Sequence, residues 1–468
     1  MDRFIGRSRE LDALNEWHSS DKFEFVVVYG RRRVGKTALL EEFIKGKNHL
    51  FVSARRVKGD ANLRLLREAV NDGFDVDSGN MSLDALLGEI GKQSGERLVL
   101  VIDEFPYFAE SDEGLMSALQ VFIDRKAQFS KLFLVLCGSS MGFMKRQVLG
   151  AESPLYGRRT REMFLKPMDY LEAACFLDGR TAFEKACVYG AVGGVPTYLK
   201  KFSGKRDIFK TMAEEFFDDG LTLFSEPESL IMQELKDPRS YNAVIEAMAS
   251  GKARLSEISD SSGIPRPDAS RHLADLVDLG HVEKIEPFNE ENGRRTLYFL
   301  SDNLFRFRYY IAINMRKRIA GSTPDRTAKN IEKEMPEYMG KAFEDICDQF
   351  VRRIGYPITG RWWGSASVGK AMEIDVIGAV AEGGRRIGLF GECKFTNREA
   401  DMTALDSLLM SADCVKGFDV KDYAVFSKSG FTEALELRAE AENVALITLD
   451  DLYDPNFVAQ MRSWRIEP

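Results

Sequence analysis

Phe25-Val-Val-Val-Tyr29 runs directly into Gly30-Arg-Arg-Arg-Val-Gly-Lys-Thr37, and the helical stretch Ala38–Ile44 comes next. A short valine-rich run without polar alternation reads as a central strand of a parallel sheet, covered on both faces. The loop after it fits G-x-x-x-x-G-K-[ST]. Its glycines let backbone N–H groups curl around phosphate oxygens, and the next helix adds the positive end of its dipole. The expected nucleotide contacts are Gly30, Arg31, Arg32, Arg33, Val34, Gly35, Lys36 and Thr37. Lys36 would reach the β- and γ-phosphates, and the Thr37 hydroxyl would ligate Mg²⁺. The fold implied is α/β, built on a parallel-sheet P-loop core that binds and hydrolyses ATP.

Two further runs, Leu98-Val-Leu-Val-Ile102 and Leu132-Phe-Leu-Val-Leu136, have the same character. The first ends in Asp103, 67 residues after Lys36. Asp103 is placed to hold Mg²⁺, directly or through water. Glu104 comes immediately after it, placed to orient and deprotonate the attacking water.

At 468 residues the chain has room for about three domains of roughly 150 residues. A hydrophobic content of 44% with 29% charged residues is that of a globular protein. The net charge of −8 makes the whole surface no magnet for nucleic acid, so any such contact must come from a local basic patch. Six cysteines form no CxxC pair, which suits free thiols in a reducing cytosol better than disulfides or zinc. No apolar run is long enough to span a bilayer, and Met1–Glu10 is charged rather than signal-like, so the expectation is a cytoplasmic protein without a membrane partner.

Residues 1–165 make up the expected core, and 166–236 turn helical, as a lid interrupted by Gly193-Gly-Val-Pro196. Residues 237–312 offer helices at Tyr241–Ala249, Leu255–Ser259 and Arg266–Leu279, then strands at His281–Pro287 and Arg294–Leu300. That is the order of a winged helix-turn-helix. Residues 313–335, with Gly-Ser-Thr-Pro and alternating charge, read as a linker, and 336–468 return to mixed α/β.

Arg266–Leu279 would be the helix entering a major groove. Yet between Ser240 and Leu300 seven Lys/Arg face ten Asp/Glu, a net of −3. Because phosphate contacts dominate affinity, DNA or RNA binding and a spacer or protein-docking role both stay open for this module. Arg306, Arg308, Arg316, Lys317 and Arg318 would have to supply the compensating charge.

In the last segment, Glu344 falls on the helix Tyr338–Arg352, Asp375 on the strand-like Glu373–Ile377, and Glu392 and Lys394 on Gly388–Phe395. Strand residues two apart face the same way, so Glu392 and Lys394 share a face. The acids, Asp375 and Glu392 foremost, would hold Mg²⁺ or Mn²⁺, and Lys394 would position water or offset charge at a scissile phosphate. Trp362 and Trp363 read as packing residues.

Phe4-Ile-Gly-Arg7, the P-loop, Val101-Ile-Asp-Glu104, Cys137-Gly-Ser-Ser140, Pro154-Leu-Tyr-Gly-Arg-Arg159 and Gly193-Gly-Val-Pro-Thr-Tyr198 resemble the archaeal-type ATPase family. That family is a branch of the AAA superfamily close to the signal-transducing ATPases with numerous domains. The resemblance implies that Ile5, Gly6 and Arg7 lie near the adenine and that Ser139 or Ser140 senses the γ-phosphate. It also implies that Arg158 or Arg159 serves as an arginine finger in a homo-oligomer, where a planar guanidinium fits the spreading phosphate charge. The series Glu344, Asp375, Glu392-x-Lys394, with the helix and strand after it, resembles the PD-(D/E)xK nuclease superfamily, although Ile374 stands where that pattern has proline. This implies a restriction-endonuclease-like α/β domain. Two functions are expected: an ATPase acting on nucleic acid through a metal-dependent nuclease-like domain, or a regulatory ATPase switch whose last domain is a silent docking module.

Overall fold

The computed structural model describes residues 4–218, 220–235, 237–290, 293, 295–315, 322–365 and 371–464. Arg316, Lys317 and Arg318 therefore lie outside the described residues. The chain divides into two compact units, one of Met1–Met168 with Val195–Thr197 and one of Asp169–Gly194 with Tyr198–Pro468.

The first unit is built on five strands, β1 (Glu24–Tyr29), β2 (His49–Ser53), β3 (Leu98–Asp103), β4 (Leu132–Gly138) and β5 (Arg161–Phe164). They are ordered β2-β3-β4-β1-β5, and every pairing is parallel. Every residue of β1, β3 and β4 is buried, which is why these runs carry no polar alternation. Because all strands point one way, the loops after β1, β3 and β4 gather at one carboxyl edge, where ligands of open α/β sheets sit.

The second unit begins with helices. Ala182–Val192 ends at Gly193, in the left-handed region at φ 65°. The sequence reads this stretch as a lid separate from the winged helix and the last segment, and the structure corrects that. Tyr338 Oη donates to the Gly190 carbonyl at 2.6 Å, and Asn303 Nδ2 donates to the Tyr189 carbonyl at 2.8 Å, so 169–194 are built into this unit.

The winged-helix elements come next in the chain: helices Pro238–Ala249, Leu255–Ser262 and Arg266–Asp278, then β6 (Val282–Ile285) antiparallel to β7 (Leu297–Leu300). Ala269, His272, Leu273 and Leu276 give the third helix its buried face. Both strands are shorter than expected, because Pro287 has no N–H to give and Phe288 N–H turns to the Arg361 carbonyl at 2.7 Å.

The expected linker at 313–335 is corrected over its second half. Residues Pro324–Arg353 form one 30-residue helix, with Thr327, Ala328, Ile331 and Met335 buried on the same stripe as Met339, Phe343 and Ile346. Alternating charge and Pro336 suggest a break, but the apolar positions keep helical spacing through it. This helix packs on a mixed sheet of β8 (Ile358–Ser365), β9 (Ala371–Glu382), β10 (Arg385–Lys394), β11 (Val420–Ser427) and β12 (Ala445–Thr448). The order is β12-β11-β10-β9-β8, antiparallel from β8 to β10 and parallel from β10 to β12. Phe350 meets Phe426 edge-on at 6.0 Å, joining helix to sheet, and Trp362 is buried in the core as expected of a packing residue. All six cysteines are free thiols, and no described helix is long and apolar enough to cross a membrane.

Candidate functional site

The P-loop geometry depends on two glycines. A Cβ on Gly30 would lie 2.3 Å from the Leu165 carbonyl oxygen, so the chain passes there only without a side chain. Gly35 sits at φ 96°, as the turn into helix Lys36–Phe43 requires, and its missing Cβ would stand 3.7 Å from the Pro196 ring. Pro196, from the Gly193–Tyr198 stretch, thus lies against the loop. Lys36 is buried and donates to the carbonyls of Gly30 and Arg31 at 2.8 and 2.9 Å. Burial lowers its ammonium pKa below the ordinary lysine value. Arg32 is anchored on the Tyr107 hydroxyl.

At the end of β3, Asp103 is 2% exposed, and its Oδ2 accepts from Thr37 Oγ1 at 2.7 Å. A hydroxyl and a carboxylate held together are hard oxygen donors of the kind Mg²⁺ takes, so this pair fits that ion. Glu104 adopts the left-handed conformation, φ 49°, as the N-cap of helix Phe105–Ser111. A non-glycine residue there costs about 1–2 kcal/mol, and the turn brings its carboxylate back over the sheet edge. Glu104 Oε2 accepts from Ser139 Oγ at 2.8 Å and from Ser139 N–H at 3.3 Å, tying the end of β3 to the end of β4.

Ile5-Gly6-Arg7 reach the same edge. Arg7 is buried and donates through Nη2 to the carbonyls of Val34 (3.0 Å) and Lys166 (2.6 Å), and through Nη1 to Glu10 at 3.0 Å. Sequence reasoning places these residues near the nucleotide but does not foresee Arg7 as the clamp that holds the P-loop backbone. Arg158 and Arg159 are not brought to this edge. They precede β5, which runs parallel to β1, and so stand at the amino edge while the P-loop stands at the carboxyl edge. Arg158 grips Asp124 with two bonds of 2.7 Å, and Arg159 pairs with Glu162 at 3.2 Å.

In the second unit the structure gathers all four expected residues. Glu344, Asp375, Glu392 and Lys394 line one cavity of about 360 Å³, joined by Glu373. Glu373 is missing from the sequence-based candidates, yet it stands two residues before Asp375 and shares its face of β9. Asp375 Oδ2 accepts from Cys393 N–H at 2.8 Å, and Glu392 is ion-paired with Lys394. Glu344 lies 3.1 Å from Arg361 and 3.3 Å from Lys341. Even so, burial and the charges of Asp375, Asp345 and Glu373 hold its carboxyl well above the usual range. Burial raises Asp375 and Glu373 too, and burial with the Asp375 charge raises Glu392 to about 7. Among the described residues no three acidic, histidine or cysteine side chains converge as a ready metal cage. Asp375 and Glu392 alone still offer the one or two carboxylates with which Mg²⁺ is commonly held beside waters and phosphate.

The winged-helix face offers less to an anion than the sequence suggests. Arg306 is buried and bound to Asp345 at 2.6 Å, which removes it from the expected compensating patch. Arg308 donates to the Phe224 carbonyl at 3.1 Å. On the third helix, Asp275 takes a hydrogen bond from Tyr241 and Asp268 pairs with Arg271 at 3.0 Å.

Residues 4–202 match the family described as an ATPase domain predominantly from Archaea, and residues 243–286 match the IclR helix-turn-helix domain. Residues 307–405 match archaeal and bacterial proteins of unknown function. An uncharacterised protein of Methanocaldococcus jannaschii is 28% identical over 438 residues, 91% of this chain and 95% of that one. An uncharacterised ATP-binding protein of the same archaeon is 41% identical over 44 residues, 9% of this chain and 75% of that one. A Walker-type ATPase of Pyrococcus abyssi aligns with a TM-score of 0.49 and 21% identity, over 65% of this chain and 96% of that chain. The amino-terminal part of the chain is thus similar to archaeal ATPase domains, and the protein is an enzyme that binds and hydrolyses ATP.

Proposed function

We propose that this ATPase acts on nucleic acid in the cytoplasm, and that the carboxylate–lysine cavity is a metal-dependent phosphodiesterase site under the control of the nucleotide. The observation that carries this reading is that Glu344, Glu373, Asp375, Glu392 and Lys394 all line one cavity. Buried like charges work against a fold unless a cation or a proton offsets them. Lys394 offsets only part of that charge, which leaves a place for a divalent ion on Asp375 and Glu392.

In the ATPase site, Lys36 and the loop amides hold the phosphates, and Thr37 and Asp103 would hold Mg²⁺. Glu104 takes the proton of the attacking water at its carboxylate, and Ser139 orients that carboxylate. A magnesium ion bound there would offset charge on the phosphate oxygens. The position of Arg158 and Arg159, away from their own P-loop, suits fingers that serve the nucleotide of a neighbouring copy. In the second unit, Mg²⁺ or Mn²⁺ would supply Lewis-acid charge at the scissile phosphate. Lys394 offsets the charge developing on the phosphate, and Asp375 and Glu392 keep the ion in place.

The test incubates the purified full chain with labelled DNA and RNA, with Mg²⁺, Mn²⁺ or EDTA, and with or without ATP. Metal-dependent cleavage lost in both Asp375→Ala and Lys394→Ala supports the reading. Cleavage that persists in both variants assigns the activity to something else. The Glu392–Lys394 pair and the acidic third helix favour a second reading, a regulatory ATPase switch with a silent last domain. Absence of cleavage and of metal binding under every nucleotide condition would select it.

A further inference from the structure

A second cavity of the second unit, about 530 Å³, opens between β6, β8 and the long helix Pro324–Arg353, and neither ATP hydrolysis nor the carboxylate–lysine site makes use of it. Asn303 lines it and is 6% exposed. Its Nδ2 donates to the Tyr189 carbonyl at 2.8 Å, which fixes the amide and leaves Oδ1 buried with no partner. Glu283 from β6 and Thr359 from β8 line the same space, and Glu283 Oε1 and Thr359 Oγ1 are likewise buried without partners. An unanswered buried polar atom costs about 1–3 kcal/mol; the Asn303 amide oxygen and an ionised Glu283 carboxylate call for donors, and the Thr359 hydroxyl can accept as well as donate.

The basic groups of the lining are already taken. Arg361 lies against Asp345 (2.6 Å) and Glu344 (3.1 Å), Arg352 against Asp348 (2.9 Å), and Lys284 against Glu286 (3.3 Å). Glu283 has no such ion pair, and burial, then the Asp345 charge, raises its carboxyl to about 7. An anion entering here would meet these acids, and the one buried guanidinium nitrogen of the described lining without a hydrogen bond, Arg361 Nη1, already stands 3.1 Å from Glu344. A cation bearing N–H groups would meet a carboxylate and an amide oxygen that need donors, and a hydroxyl free to accept.

We propose that this cavity binds a small organic cation bearing several N–H donors, a guanidinium or a primary ammonium. Asn303 and Thr359 take its hydrogen bonds, and Glu283 takes its charge.

The full chain, free of nucleotide, is titrated by calorimetry at constant ionic strength with agmatine, with putrescine and with tetramethylammonium, a cation lacking N–H groups. Agmatine or putrescine should bind saturably and tetramethylammonium should not, and the stronger of the first two tells guanidinium from ammonium. Affinity should fall at least tenfold in Glu283→Gln and in Thr359→Val. Circular dichroism checks the fold, and should Glu283→Gln fail to fold, Thr359→Val, which keeps the side-chain shape, decides the matter. Three results would each overturn the proposal: no saturable binding of agmatine or putrescine at millimolar concentration, equal binding of tetramethylammonium, or unchanged affinity in the folded variants.

Discussion

Replacing Glu392 by glutamine isolates the electrostatic cost held in the carboxylate cavity. Glu392 is 7% exposed, and burial, then repulsion from Asp375, raises its carboxyl from 4.5 to about 7 against the attraction of Lys394. At about 1.4 kcal/mol per pKa unit, that rise opposes folding by roughly 3 kcal/mol once the group is ionised in both states. Between pH 4.5 and about 7 the native state keeps a proton that the unfolded chain has released. Stability therefore falls as pH rises through this window, and the loss is complete above it. Glutamine does not titrate, so Glu392→Gln should match the wild type near pH 4.5 and exceed it by about 3 kcal/mol at pH 8. Denaturant unfolding of the full chain in EDTA, monitored by the fluorescence of Trp362 and Trp363 in the same sheet, measures the difference across pH. A variant less stable than the wild type at pH 8, by a margin growing with pH, would refute the reasoning. In that case the Glu392–Lys394 pair stabilises the fold on balance.

Two further outcomes concern the ATPase site. Glu104→Gln should keep ATP bound while hydrolysis falls about 10²–10⁴-fold, since an amide cannot take the proton from water; turnover at the wild-type rate would place the base elsewhere. If Arg158 and Arg159 serve a neighbouring copy, specific activity should rise with protein concentration. Mixing an Arg158→Ala/Arg159→Ala variant with Lys36→Ala should then restore turnover that neither shows alone, and concentration-independent turnover by a monomer would remove the role.

The ATPase core is legible in the sequence because its signals are local. A valine run, a glycine loop with Lys36 and Thr37, and an acid at the end of the next buried strand need only strand and helix geometry to acquire meaning. The carboxylates of the second unit are legible one strand at a time, because alternation shows which residues share a face. Glu373 escapes such a reading because a lone acid two residues before Asp375 looks like a solvated strand edge; it is indeed exposed, and only the cavity it lines with Glu344 and Glu392 gives it a place in the site. What only tertiary structure decided rests on contacts distant in sequence. Arg306, in sequence a surface charge, is consumed by Asp345, 39 residues on. Arg7 clamps a loop through the Val34 carbonyl, 27 residues away. The stretch 324–335 looks like a linker because its alternating charge, after Gly-Ser-Thr-Pro, outweighs its apolar stripe in a linear reading. The stripe acquires its burial energy only from the unit it packs into, and a strand's pairing partners, like a charge's counter-ion, are chosen in three dimensions.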